Sequence, residues 1–399
     1  MSRRRRPSGT TLMVCAAYAA QGVGYAAVVT ALPAAKDRMD FSDTVLSVIL
    51  LGVCVAAVFG SVLADAVAVR RGSRSALCLG FLLQSAALAG MSLAPDRVVY
   101  LGAVAVYGLG LGTVDAGNNM QGVALQNRTG VPMMGRLYSA FTVGGIIGAL
   151  LSSALATRGV SALTLVGGVA LLQLAVALTG RFRLVPQPPP RPADTTSPGR
   201  RRIPLPRAAI WAVGSLVLVA YVLDAAVSTW STVYLSDGLR TSAAVAPVGY
   251  AAYLAMVLLA RLVTDPATLR WGRRRVGVGA LVVGTIGCAL VVAGPGVAAT
   301  VAGFAVAGIA TGVLVPIAFE AAGLLLPARS DEVIARVNIF NYAGAVAGAV
   351  VPGLLGTGAG LRLGFVAPAL ALLLVLSLAR RLPTHTSASL KPLPEGEPA

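Results

Sequence analysis

Histidine is almost missing from this 399-residue chain: the single one, His385, lies near the C-terminal end. A Ser–His or Cys–His catalytic pair within the body of the chain is therefore excluded. Cysteine is also scarce. Cys15, Cys54, Cys78 and Cys288 stand far apart in apolar surroundings, with no CxxC or Cys/His cluster. That spacing argues against a zinc or iron–sulfur site and for small buried apolar residues. Charge is thin, at 12% of residues, against about 25% in a soluble globular chain. No concentrated set of catalytic or metal-binding groups remains, so neither an enzyme nor a cofactor is expected.

What the chain has in quantity is apolar length. Hydrophobic residues make up 56% of it, and runs long enough to cross a bilayer core, roughly 20 residues each, follow one another. The expected spans are 11–33, 45–67, 75–94, 98–120, 136–157 and 162–180, then 208–234, 243–264, 276–294, 298–325, 334–356 and 361–380. Between the two sets lies PQPPPRPADTTSPGRRRIPLP, rich in proline and arginine, which reads as an extended solvated linker. The domains expected are a six-helix bundle over 1–180, a linker over 181–206, a second bundle over 207–381 and a disordered tail over 382–399.

The net charge of +17 is distributed as a topology signal. With the N-terminus in the cytoplasm, 25 of the 32 Lys and Arg fall in cytoplasmic segments, 6 in outer ones and one, Arg261, inside a span. That bias places both termini inside and calls for an even number of spans. Arg3 to Arg6 read as the anchor of the first span, since no small-residue cleavage site follows. A basic stripe with interleaved aromatics is absent, so nucleic acid is not an expected partner.

The two halves repeat at an offset of 200 residues. Asp65, Arg70, Gly72 and Arg74 fall on Asp265, Arg270, Gly272 and Arg274. Gly108 and Gly112 fall on Gly308 and Gly312, and Arg136, Gly144 and Gly148 on Arg336, Gly344 and Gly348. The charged matches are the informative ones, because charge is rare here. Each half starts inside, so the repeat is parallel, as in transporters that rock about a central cavity. The glycine rows form small-xxx-small surfaces for close helix approach.

The segments GSVLADAVAVRRGSR (Gly60–Arg74) and ARLVTDPATLRWGRR (Ala260–Arg274) each join two spans on the cytoplasmic side. An aspartate at a helix end, a glycine turn and arginines beyond it can form a charge-assisted latch; the alternative is topogenic charge plus a turn. Arg261 and Asp265, one turn apart, are expected to pair.

This pair of segments resembles the cytoplasmic loop signature of the major facilitator superfamily, over nearly the whole chain. The likeness is closer to a bacterial inner-membrane subgroup allied to the fucose-permease branch. It is carried by Gln21–Gly52, by DAGNNMQGVALQ (Asp115–Gln126), by MGRLYSAFTVGGIIGAL (Met134–Leu150), by WSTVYL (Trp230–Leu235) and by ARVNIFNYAGAVAG (Ala335–Gly348). The resemblance implies an all-α membrane protein with twelve transmembrane helices in two parallel six-helix bundles. The fourth span lacks the arginine, and the fifth the Gly-Pro pair, usual in drug-exporting antiporters, which argues against a standard drug:proton antiporter.

Ionisable residues inside spans are costly and mark function. Asp224, midway along its span in YVLDAAVSTW, is the candidate for proton coupling, because desolvation disfavours its anion and suits it to exchange a proton; a structural hydrogen bond is the alternative. Gln21 sits at a comparable depth in the first span, flanked by Tyr18 and Tyr25, with Tyr221 and Trp230 beside Asp224. Together these could line a cavity of mixed aromatic and polar character. Asp115, Asn118 and Asn119 share a helix face, with Gln121 beside Asn118; they line an inner vestibule or form a network at the cytoplasmic gate. Asn338 and Asn341 share a face of the eleventh span, and Glu320 lies at the inner end of the tenth.

The expected function is a proton-coupled secondary transporter of a small organic molecule, monomeric, in the inner membrane, and an exporter. Sugar-type uptake by symport and a non-transporting sensor or scaffold are the alternatives.

Overall fold

The computed structural model describes residues 8–186, 204–242, 245–355 and 358–378. Most of the linker, the C-terminal tail with His385, and Arg3 to Arg6 lie outside these residues. The described chain is entirely helical apart from its turns. Its helices are α1 (Gly9–Met39), α2 (Asp43–Arg71), α3 (Ser73–Leu93), α4 (Arg97–Thr129), α5 (Met134–Ala156) and α6 (Ala162–Arg183). They continue with α7 (Arg207–Val233), α8 (Val248–Trp271), α9 (Arg273–Ala293), α10 (Gly296–Leu325), α11 (Ser330–Leu355) and α12 (Val366–Leu378). Among the described residues, eleven helices are long and apolar enough to cross a membrane, and a shorter apolar stretch, Gly360–Leu376, follows. This is a multi-pass membrane protein.

Local chemistry sets several boundaries. Ser8, Ser42 and Asp96 cap α1, α2 and α4 by accepting from Thr11, Val45 and Val99 backbone N–H groups. Gly72 and Gly272 turn the chain between α2 and α3 and between α8 and α9 at φ 81° and 80°, a region that glycine enters without a Cβ penalty. A side chain at Gly272 would meet no neighbour, so the requirement there is conformational. The fourth helix runs well past the expected 120. Its polar residues Asn118, Asn119, Gln121 and Gln126 are buried and hydrogen-bonded to other parts of the protein, so hydropathy falls while the helix continues.

Within the first half of the chain, α1 packs on α5 and α6, α2 on α4, and α3 on α4 and α6. In the second half, α7 packs on α11, and both α8 and α9 pack on α10. The glycine rows make these crossings, and the 200-residue repeat reappears in them. A Cβ at Gly112 would stand 1.8 Å from the Ala57 carbonyl oxygen, and one at Gly312 2.6 Å from that of Val257. A Cβ at Gly144 would stand 2.1 Å from Ala19 O, and one at Gly344 2.4 Å from Leu218 O. Backbone meets backbone, which side-chain rearrangement cannot relieve. Gly144→Val is therefore expected to cost about 3 kcal/mol, the upper range for overpacking. A thermal midpoint of the detergent-purified variant equal to the wild type's would contradict this.

The turns α2–α3, α4–α5, α8–α9 and α10–α11 share one end of the molecule, called the basic face here. Contacts between the halves fall chiefly at α2–α11 and α5–α8, with fewer from α4 and α5 to α10 and α11. Near the basic face Val123 of α4 fills the space over Gly323 of α10, where a Cβ would lie 2.3 Å from Val123 Cγ1.

Candidate functional site

Two carboxylates on different halves face the middle of the molecule. Asp224, on α7, is partly accessible and accepts from the Tyr253 hydroxyl of α8 at 2.8 Å. The same hydroxyl lies 2.8 Å from Thr311 Oγ1 of α10. Asp115, on α4, is also partly accessible. It accepts from Gln21 Nε2 of α1, from the Tyr342 hydroxyl of α11, and from Asn341 Nδ2 at 3.5 Å. Tyr25 is within electrostatic reach of both carboxylates, as is Tyr221. Tyr107 lies in the field of Asp115, and Tyr250 in that of Asp224. Tyr25 is 51% exposed.

Below the two carboxylates the polar residues close into one network joining the halves. Asn118 Nδ2 donates to Gln21 Oε1 at 2.7 Å. Asn119 Oδ1 accepts from the hydroxyls of Tyr138, at 2.7 Å, and Tyr18, at 3.2 Å. Its Nδ2 donates to Asn338 Oδ1 at 3.3 Å, and Asn338 Nδ2 donates to Ser61 Oγ at 3.0 Å. Asn118, Asn119 and Asn338 are buried; they form a closed seam rather than the wall of an open vestibule. Gln121 instead ties the end of α6 down, donating to Ser73 Oγ at 2.9 Å and accepting from Val185 N at 2.8 Å.

The latch residues take partners the spacing did not foretell. Arg261 and Asp265 do not pair with each other. Asp265 accepts from the backbone N–H groups of Gly135 at 2.8 Å and Arg136 at 3.0 Å. Its second oxygen lies 3.4 Å from Arg136 Nε. Gly135 and Arg136 form the first turn of α5, whose N–H groups lack helical partners and attract an anion. Arg261 reaches the other way along α5, donating to Tyr138 O at 3.2 Å and to Thr142 Oγ1, with its guanidinium 5.3 Å from the Tyr138 ring centroid. The loop arginines stand apart from these latches. Arg70, Arg270 and Arg274 are exposed and Arg74 half-buried, with Arg270 over the Trp271 ring. A buried pair, Arg273 with Glu320 at 3.6 Å, ties α9 to α10.

The pseudo-equivalent seam is less complete. Asp65 lies in the field of Glu332, Arg336 and Arg329 at the start of α11, but its Oδ1 finds no hydrogen-bond donor among the described residues. Glu332 takes both arginines, with Arg336 Nη2 at 2.7 Å and Arg329 Nε at 2.7 Å. Trp230 is held by α11: its Nε1 donates to Ala349 O at 2.8 Å.

The profile of the Major Facilitator Superfamily matches residues 14–266 and 214–398, together almost the whole chain. The chain belongs to that superfamily. An uncharacterised MFS-type transporter of Yersinia pestis is 27% identical over 359 residues, 90% of this chain and 92% of that protein. Among solved structures, the superfamily transporter FucP in its outward conformation superposes with a TM-score of 0.77 at 14% identity, covering 94% of this chain and 98% of that one. The proton:xylose symporter XylE superposes with a TM-score of 0.73 at 12% identity, covering 96% and 97%. The protein is thus a major facilitator transporter and not an enzyme.

Within this transporter the sequence had located both carboxylates, Gln21 and the four asparagines. It missed Tyr253, Tyr342, Tyr138, Tyr107 and Ser61. One signal was present for the seam: Ser61 and Asn338 correspond to Arg261 and Tyr138 at the 200-residue offset, and both pairs are in contact.

Proposed function

We propose that this chain is a proton-coupled exporter of a small organic molecule, working by alternating access. On this reading the basic face is cytoplasmic and the protein is a monomer of the inner membrane, with both termini inside. Twelve spans form two parallel six-helix halves, 1–180 and 207–381, joined by the linker 181–206 and followed by the tail 382–399. The closed seam at the basic face and the cavity on the other side then correspond to an outward-facing state, in keeping with the likeness to FucP in its outward conformation.

The observation that carries the coupling is Asp224. It is a partly accessible carboxyl midway along a membrane helix, held by one neutral hydroxyl. A carboxyl at such a position can be protonated from one side and deprotonated to the other as the halves rock. Proton-driven uptake is the second reading, favoured by the fold shared with the proton:xylose symporter.

Reconstituted protein tests both. Proteoliposomes are given a pH gradient of either sign and charge movement is recorded on adding sugars, organic amines or organic acids. Transport driven against the direction of proton flow supports export, and transport along it supports uptake. Flux indifferent to the gradient, or collapse of neither direction with a proton ionophore, would defeat the coupling.

A further inference from the structure

We infer that the substrate carries a protonated amine and that Asp115 is the group that binds it. This rests on the transporter reading above and adds the chemical class of the cargo.

Among the described residues, Asp115 is hydrogen-bonded by neutral groups alone, Gln21, Tyr342 and Asn341. Three such donors offset part of the cost of burying a carboxylate, yet supply no opposite charge, which a bound cation would. The cation of the adjoining seam, Arg261, is 8% exposed and engaged on Tyr138 and Thr142. Its field falls on Asp224 and Tyr221 rather than on Asp115. Its Nε has no acceptor, but the group is closed off from the cavity. Two carboxylates and one guanidinium leave this region one negative charge in excess when both carboxyls are ionised.

A second observation points the same way. Asn118, 1% exposed and one helical turn from Asp115, leaves its Oδ1 without a donor. Buried polar atoms are ordinarily hydrogen-bonded. The open acceptor beside Asp115 is Asn118 Oδ1, and an ammonium group, with three N–H donors, could meet it and the carboxylate together. Tyr25 and Tyr221 lie within electrostatic reach of Asp115, near enough to supply aromatic surface to an organic cation bound there. A carboxylate cargo would meet repulsion from Asp115. A neutral sugar would leave the excess charge unbalanced.

The test uses full-length protein in nanodiscs and one scaffold in three charge states: 2-phenylethylamine, 2-phenylethanol and 3-phenylpropionate. L-Fucose, D-xylose and the bulkier cation tetraphenylphosphonium complete the panel. Thermal stabilisation is expected from one or both cations and not from the alcohol, the acid or the sugars. Asp115→Asn is expected to weaken cation binding about tenfold or more, as for removal of one member of a buried charge pair. Asp115→Glu is expected to retain most of it. Stabilisation by the alcohol, acid or sugars without the cations, or by nothing in the panel, overturns the inference; so does undiminished cation binding in Asp115→Asn. Should Asp115→Asn fail to fold, Asp115→Glu and the charge order of the wild type decide. Asp224→Asn is expected to keep cation binding. If it also keeps gradient-driven transport, the coupling role falls while the assignment of Asp115 stands.

Discussion

Replacing Asp265 with alanine is expected to unseal the basic face. Its carboxylate holds the first turn of α5 through two backbone N–H groups and faces Arg136 at 3.4 Å. Hydrogen bonds to a charged group contribute about 1.5–3 kcal/mol each. Water recovers part of this on opening, so a net loss of about 3 kcal/mol is reasonable, roughly a hundredfold in the open fraction. The readout is alkylation of a cysteine at position 123, in a background with the four native cysteines replaced. Val123 is 2% exposed and packed over Gly323, so it reacts only when the seam parts. Asp65→Ala, whose Oδ1 has no partner, is expected to change the rate by less than about tenfold. Equal labelling of wild type and Asp265→Ala would end the latch role of Asp265.

Asp224→Asn is expected to abolish gradient-driven transport, by at least about a hundredfold, while substrate exchange continues. Asparagine has nearly the same volume, and its amide oxygen can still accept from Tyr253. The fold and the cavity wall are therefore preserved and only the exchangeable proton is lost. Counterflow between equal substrate pools needs no net proton movement and should survive. Tyr253→Phe should retain coupling with a smaller defect, since it removes the donor and leaves the carboxyl. Accumulation driven by a pH gradient in Asp224→Asn, at the wild-type rate, would place the coupling group elsewhere.

Much of the architecture was legible because membrane spans are read from length and charge, both local properties. The expected ends failed where locality fails. The fourth helix looked finished at 120 because Gln121 and Gln126 lower hydropathy, yet each is satisfied by a residue distant in sequence or across a turn: Val185 N and Met133 N. The Arg261–Asp265 pairing followed from helical spacing, which shows which residues are neighbours and not which neighbour offers the better donor. The first turn of α5 outcompeted a side chain on the same helix. The tyrosines of α8 were overlooked because YAAYLAMV reads as apolar, although Tyr250 and Tyr253 fall on one face and their rings stack, with centroids 6.3 Å apart. Asp115 and Asp224 were legible because an isolated acid in an apolar run is conspicuous. Which donors surround each was not, since those come from three other helices, α1, α8 and α11.

The hold of Asp265 on α5 has an evolutionary corollary. Its two hydrogen-bond donors are main-chain groups, which every residue but proline supplies. Position 136 can therefore drift in sequence while the fastening survives. Position 135 cannot, because a Cβ there would lie 2.5 Å from Arg261 O. Variation across descendants of this protein should thus be lopsided: free at 136, nearly frozen at 135 and 265.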